Sequence, residues 1–357
     1  MRWYIPHSFH NRSMKALVKT SATVGMTVKD VPTPKVGAND VLIRVRHAGV
    51  CGTDLHIWEW DAWASARLKP PVVIGHEFAG EIAELGPEAN AGGLLQVGDK
   101  VTAEGHIICG HCRPCRTGQG HVCERTQIIG VDRDGAFAEY IAMPASNVMQ
   151  LGTIPTDIGA IMDPMGNAVH TALEGMVAGN TVFVIGCGPI GCFAVGVAKA
   201  AGASTVIASD FSSGRRELAK KMGADLTLDP ASDDVVARVR ELSGTNGVDM
   251  VLEMSGHPAG HAQAFEAVRL GGRINFLGTP AKSTDVNFAK SIIFKGLTLY
   301  GVTGRKMYDT WEQMFALLRG GKLDPRPVVT HRFPMEGMAE AIELIKKGKA
   351  GKVILEI

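Results

Sequence analysis

Four of the seven cysteines fall within one short stretch, EGHIICGHCRPCRTGQGHVC, and this restricts the possible folds more than any other feature of the chain. Cys109, Cys112, Cys115 and Cys123 are separated by two, two and seven residues. Thiolates this close in sequence can surround one ion without help from distant parts of the chain, and structural zinc prefers tetrahedral coordination by four cysteines. Gly110, Gly118 and Gly120 loosen the backbone that has to wrap around the metal. A disulfide pair and an iron–sulfur cluster are the competing readings. Disulfides belong to secreted chains, and the spacing here is that of a metal knuckle. A closed site of this kind braces a lobe and does no chemistry, so the reactive centre has to lie elsewhere.

The chain has 357 residues, enough for two domains with a core each. A hydrophobic fraction of 45% with 20% charged residues is that of a globular protein, and no apolar run is long enough for a membrane span. A net charge of +1, without long basic runs, argues against nucleic acid or an acidic membrane as an obligatory partner. Cys51, Cys187 and Cys192 are scattered, as expected in a reducing cytoplasm. The first thirteen residues, MRWYIPHSFHNRS, carry Trp3, Tyr4 and Phe9 but no apolar core of a signal peptide, so they read as an N-terminal extension before Met14.

From Lys15 to about Val148, short β segments alternate with Gly, Pro and Asp punctuation: KALVKT, DVLIRVRHAGV, PVVIGHEFAGEIAEL, VGDKVTAEG and, after the cysteine loop, AFAEYIAMP. Near Ala160 the pattern changes. Apolar strands then alternate with helical periods, as in a parallel sheet covered on both faces. The strand TVFVI runs into GCGPIG, with Gly186, Gly188 and Gly191, and then into the helix CFAVGVAKAAGA. Strand, glycine turn and helix in this order form a phosphate-binding turn: the first glycine for the bend, the second for close approach of a pyrophosphate, the third for packing of helix on strand. The next strand, TVIAS, ends at Asp210, nineteen residues after Gly191. A carboxylate there accepts from both ribose hydroxyls and repels a 2′-phosphate, which favours NAD over NADP. Arg215 reads either as a contact to the adenosine or as a solvated helix-start arginine. DLTLD, VDMVLEM, RINFLG and LTLYGV complete six strands, with Gly278 and Thr279 at the carboxyl edge where the nicotinamide half would lie. The helix DTWEQMFALLRGG and the closing segment AGKVILEI are expected to return to the first lobe.

A second, dispersed metal set is formed by Cys51 in GVCGTDLH and by His76 and Glu77 in VIGHEFAGE. A thiolate, an imidazole and a carboxylate leave zinc an open position, as catalytic sites require. Taken alone, Cys51 reads more often as a small buried core residue and His76 as a surface or core histidine; glycines at the strand ends beside them, and the dinucleotide fold downstream, favour the site.

Together, CGTDLH, GHE, the cysteine loop and GCGPIG with Asp210 resemble the zinc-containing medium-chain dehydrogenase/reductase family, in the family's order and from Met14 to the C-terminus. That resemblance implies an α/β fold: a GroES-like β-rich catalytic domain over 14–164 with the structural zinc loop at 104–123, a Rossmann domain with a doubly wound parallel sheet over 165–304, and a return of 305–357 to the catalytic domain. It implies Cys51, His76 and Glu77 as catalytic zinc ligands, with Asp163 of DPMGN beside them as a further ligand or a neighbouring carboxylate. Thr53 and His56 match the proton relay, and Ile190, Asp210, Arg215, Leu277, Gly278, Thr279, Val302 and Thr303 match NAD contacts. The implied cofactors are NAD and two zinc ions per subunit, in a cytoplasmic homotetramer acting on a small molecule. CGTDLHIWEWDAWA, EGHIICGHCRPCR, DPMGNAVHTAL, GVTGRKMYDTW and VVTHRF narrow the implied substrate to L-threonine, oxidised to 2-amino-3-oxobutanoate. Sorbitol- or butanediol-type alcohols are the alternative, and a non-catalytic nucleotide-binding protein is a second one. His106, the EWDAWA segment and Asp163 are the candidates for the amino acid's charged ends, and Trp58, Trp60 and Trp63 either close a cleft or serve as packing.

Overall fold

A computed structural model describes residues 12–357 apart from Thr245. Residues 1–11 of the expected N-terminal extension lie outside the described residues, and Ser13 already pairs with Pro32 at the start of the first strand.

The first lobe is built on the strand Asp40–Val50, the longest among the described residues. Its partner Glu77–Leu85 runs antiparallel along one side. Along the other side, residues 40–44 take Tyr140–Pro144 and residues 47–50 take Lys352–Glu356, both antiparallel. The sheet continues through Lys100–Ala103 to Val148–Gln150 on one flank and to Val329–Pro334 on the other. Val41, Ile43 and Val45 recur every second residue and sit in one core with Ile82, Val101 and Val353, as a strand's period of two requires. The C-terminal segment therefore enters the first lobe as a strand beside Val50.

In the second lobe, six parallel strands stand in the order Leu226–Leu228, Thr205–Ser209, Thr181–Ile185, Val248–Glu253, Val268–Phe276 and Thr298–Gly301. This is the doubly wound order, with its switch point beside the TVFVI strand. Val182 and Val184 face one helical layer while Phe183 and Ile185 face the other, so the strand is apolar throughout and buried on both sides. The helix Pro189–Ala200 packs on the first of these layers, together with the helix Met162–Leu173 that joins the lobes. The amphipathic helix Asp309–Arg319 forms as its periodicity predicts. It buries Trp311, Met314 and Phe315 against that same layer, so the chain docks on the joining helix before it reaches the first lobe's sheet.

Candidate active site and metal centres

In the cysteine loop, backbone turns bring all four thiols into one cluster. Cys112 Sγ lies 3.4 Å from Cys115 Sγ and 3.8 Å from Cys123 Sγ, and Cys109 Sγ lies 3.6 Å from Cys123 Sγ. A tetrahedron with metal–sulfur bonds of about 2.3 Å has edges of about 3.8 Å, so the four sulfurs fit a single zinc ion. Such separations are far from the roughly 2.05 Å of a disulfide, and all seven cysteines are free. Backbone N–H groups of Cys109, Cys112 and Arg125 donate to the sulfurs at 3.3–3.4 Å, which favours thiolates.

The second set meets where two strands begin and end. Cys51 follows the strand Asp40–Val50 and caps the helix Gly52–Glu59, held by its N–H donating to Asp54 Oδ2 (2.8 Å). His76 and Glu77 open the antiparallel partner strand, and Gly49 is the residue paired with Glu77. Two glycines make the corner possible. A Cβ on Gly49 would lie 2.2 Å from Glu77 Oε2, and Gly75, at φ +94°, would drive a Cβ into the Phe137 ring at 2.2 Å. One ligand atom from each of Cys51, His76 and Glu77 then lies within 4.8 Å of the others. His76 Nδ1 and Glu77 Oε1 are buried without a hydrogen-bond partner among the described residues, a state a bound cation would satisfy. The residues thus fit a zinc ion with an open position.

Both candidate carboxylates are held by cations that the sequence did not indicate. Lys352 Nζ, from the C-terminal strand, lies 2.5 Å from Glu77 Oε2 and donates to Val50 O at 2.7 Å. Burial pushes the Glu77 carboxyl well above the usual range, against the pull of Lys352. Burial pushes Lys352 down, but the Glu77 carboxylate more than offsets this and leaves the ammonium above its ordinary value. At 2.5 Å the charge state of each partner depends on the other.

Asp163 stands in the first turn of the joining helix, and its Oδ2 lies 2.8 Å from Arg305 Nη2. Arg305 is itself buried at 1% exposure and forks onto Glu104, Nε to Oε2 at 2.8 Å and Nη2 to Oε1. Trp311 Nε1 donates to Glu104 Oε2 (2.8 Å), and the His106 N–H and Nδ1 reach its Oε1 at 2.9 and 2.8 Å. Burial drives the Glu104 carboxyl up, but Arg305 and His106 outweigh it, and the group is held far below the usual carboxylate range. Gly105 places this cluster against the metal corner: a Cβ there would lie 3.1 Å from His76 O and 3.7 Å from Asp163 Oδ2.

Thr53 Oγ1 lies 3.9 Å from Cys51 Sγ, and His56 is at the surface with Nδ1 2.5 Å from Asp61 Oδ2. Trp63 lies beside His56, ring centres 6.0 Å apart, whereas Trp58 and Trp60 pack on the first lobe's core.

In the second lobe Gly186 bends at φ +91°, a Cβ on Gly188 would meet open space, and one on Gly191 would strike Gly186 O at 1.9 Å. Asp210 Oδ2 accepts from Cys187 N at 2.9 Å and its Oδ1 from Ser212 N at 2.8 Å. Arg215 Nη1 is 3.9 Å from Asp210. Gly186, Gly188, Asp210, Ser212 and Arg215 line a cleft of about 530 Å³ with Phe211 and Ser255. Ile190 is half-buried at the helix start, Leu277 and Gly278 donate their N–H groups to Glu253 O, Thr279 and Thr303 are exposed, and Val302 is buried beneath.

Comparison with known proteins places this arrangement. Residues 37–154 match the alcohol dehydrogenase GroES-like domain and residues 189–320 the zinc-binding dehydrogenase model. An L-threonine 3-dehydrogenase from Bacillus licheniformis is 47% identical over 96% of this chain and 99% of its own. The chain belongs to the zinc-containing medium-chain dehydrogenase/reductase family. Among solved structures, this dehydrogenase is similar to the alcohol dehydrogenase TADH from Thermus sp. ATN1, at 32% identity and a TM-score of 0.87 over 96% of this chain and 99% of that one. It is also similar to 2R,3R-butanediol dehydrogenase from Bacillus subtilis, at 27% identity and 0.86 over 97% and 100%. Its fold is the one the resemblance implied, a GroES-like lobe joined to a Rossmann lobe.

Proposed function

We propose that this dehydrogenase oxidises the hydroxyl of L-threonine to 2-amino-3-oxobutanoate with NAD. The observation that carries the substrate is the Glu104–Arg305–Asp163 cluster. It puts charges of both signs against the metal corner, suited to the ammonium and carboxylate of an amino acid, whereas a polyol calls for neutral hydrogen-bonding groups. The near full-length likeness to an L-threonine 3-dehydrogenase supports the same reading.

Cys51, His76 and Glu77 would hold the catalytic zinc, with Asp163 beside them, and the four loop cysteines the structural one. Zinc supplies Lewis acidity that lowers the pKa of a hydroxyl, and NAD accepts the hydride. The chain's own residues then orient and move protons. Asp210 and the turn at Gly186 hold the cofactor's adenosine and pyrophosphate, while Gly278, Thr279 and Thr303 border its nicotinamide half. Thr53 takes the hydroxyl proton, and His56 delivers it to solvent. The backbone N–H of Ala64 chiefly holds Asp61 below its usual pKa, so Asp61 accepts from His56 Nδ1–H and leaves Nε2 free as the base.

We take 14–164 and 165–304 as the two domains, with 305–357 returning; the two separate sheets support this reading, although the limit at 164 falls within the joining helix and Asp309–Arg319 packs on the second lobe before Val329–Pro334 and Lys352–Glu356 rejoin the first sheet. Phe288, Ile293 and Phe294 are exposed beside the edge strand Thr298–Gly301, which suits subunit contact in a homotetramer. No helix among the described residues is long and apolar enough to cross a membrane, and a reducing cytoplasm suits seven free cysteines. The test is NAD reduction with L-threonine, sorbitol and 2,3-butanediol in parallel. Threonine turnover well above the other two is expected; sorbitol turnover far above threonine would refute the substrate, and no turnover of any would favour a nucleotide-binding protein.

A further inference from the structure

Beyond the metal corner, one face of the joining helix reads three consecutive residues of a loop that lies more than a hundred positions away in sequence. Asp163, Gly166, Asn167 and His170 recur at helical spacing, with Glu174 as the cap. Asp163 pairs with the Arg305 guanidinium, and Asn167 Oδ1 accepts from its Nη1 at 3.3 Å. Gly166 has no side chain where Arg305 lies flat on the helix: a Cβ there would meet Arg305 Cδ at 2.6 Å. One turn on, His170 Nδ1–H donates to Gly304 O at 2.9 Å, and Glu174 Oε2 takes Lys306 Nζ at 2.5 Å. Gly304 needs this hold, because it stands at φ +57° and has no side chain of its own to fix the bend.

His170 also meets the structural metal lobe. The His121 ring, from the short turn before Cys123, stands edge-on to it with centres 5.3 Å apart, and a Cβ on Gly304 would lie 4.0 Å from His121 Cβ. The imidazole is buried at 3% exposure, and its Nε2 has no hydrogen-bond partner. Among the described residues, its one hydrogen-bonded anchor is therefore the Gly304 carbonyl.

We propose that His170 is a positioning residue for substrate recognition: by fixing the Gly304 carbonyl it sets where along the helix Arg305 meets Asp163, and so where the charged cluster stands relative to the metal corner. This rests on the reading of Arg305 and Asp163 as the groups that face the amino acid's charged ends. His170 touches neither substrate nor cofactor and acts through the bend at Gly304.

The test compares His170→Phe, which keeps the ring and removes the donor, with His170→Asn, which returns an N–H near the Nδ1 position; His170→Ala replaces the Phe form should that one not fold. With the zinc-loaded enzyme, His170→Phe is expected to raise KM for L-threonine about tenfold while kcat changes less than about threefold, the pattern of lost positioning for binding. KM for 2,3-butanediol and the NADH dissociation constant are expected to hold within about twofold. His170→Asn should recover most of the threonine KM. Hydrogen exchange of the segment 302–308 should rise in the Phe form and return in the Asn form. Unchanged threonine KM, an equal rise for the diol, or no rescue by asparagine would overturn the proposal. Wild-type enzyme that prefers the diol would instead overturn the substrate reading, and in that case the exchange of 302–308 alone decides the role of His170: unchanged exchange refutes it.

Discussion

Replacing Lys352 by methionine isolates one buried charge at the candidate catalytic corner. Methionine retains the apolar stem and removes the ammonium 2.5 Å from Glu77, which is fully buried. In the metal-free protein Glu77 is then an unpaired carboxylate in the interior, a state costing about 3–5 kcal/mol. The carboxyl has one escape, protonation. From an ordinary pKa of about 4.3, neutralising it at pH 7 costs about 1.36 kcal/mol for each of about 2.7 pH units, or roughly 3.7 kcal/mol. Loss of the hydrogen bond to Val50 O adds about 1 kcal/mol. With Lys352 keeping the wild-type carboxylate ionised, the sign follows from linkage: the variant's folded state holds a proton that its unfolded state releases above about pH 4.3, so its deficit grows with pH. Urea unfolding of metal-free wild type and Lys352→Met should differ by about 4–5 kcal/mol at pH 7, with the gap shrinking by about 1.4 kcal/mol at pH 6. Zinc would supply the missing positive charge beside Glu77, so saturating zinc should close most of the gap. A gap below about 1 kcal/mol in metal-free protein, or one independent of both pH and zinc, would refute the assignment of Lys352 as the partner of an ionised Glu77.

Glu104→Gln leaves buried Arg305 with Asp163 as its one ion-pair partner among the described residues and should cost about 2–4 kcal/mol at pH 7. Because the wild-type carboxyl is depressed in the fold, its contribution is complete above about pH 4.5 and drains as pH falls, so urea midpoints of the two forms should converge in acid. Cys112→Ser should lower metal content from two zinc ions per subunit to one, and the thermal midpoint by on the order of 10 °C, as read by elemental analysis and calorimetry. Asp210→Ser removes the charge that repels a 2′-phosphate and leaves Arg215 and Arg216 nearby. It should raise KM for NAD about tenfold and narrow the preference over NADP; unchanged ratios in steady-state kinetics would exclude Asp210 from cofactor choice.

What the sequence disclosed and what it withheld divide along physical lines. The Cys₄ loop, the GCGPIG turn and the Asp210 carboxylate are legible because their chemistry is local: thiols two residues apart, or glycines at fixed offsets between strand and helix, state their geometry within a few positions. Cys51 and the pair His76–Glu77 lie 25 residues apart, yet each sits at a strand end beside glycine, and antiparallel pairing through Gly49 and Glu77 closes the gap. Lys352 and Arg305 had no such mark. Lys352 precedes VILE in a strand buried on both faces, so alternation does not tell its side from theirs, and its partner is 275 positions away. Arg305 reads as one more basic residue in GRK until the fold carries it 201 positions back to Glu104. Such residues become visible only when two segments meet, because nothing in a buried cation's own neighbourhood in sequence records the anion that stabilises it. The consequence for the cysteine loop is that bracing a lobe understates its part. Glu104 and His106 lead into it and His121 closes it, and all three converge on residues 304–305, so the loop and the joining helix grip one bend from opposite sides. On the proposed reading, a closed metal site that does no chemistry would still set where a charged substrate is held.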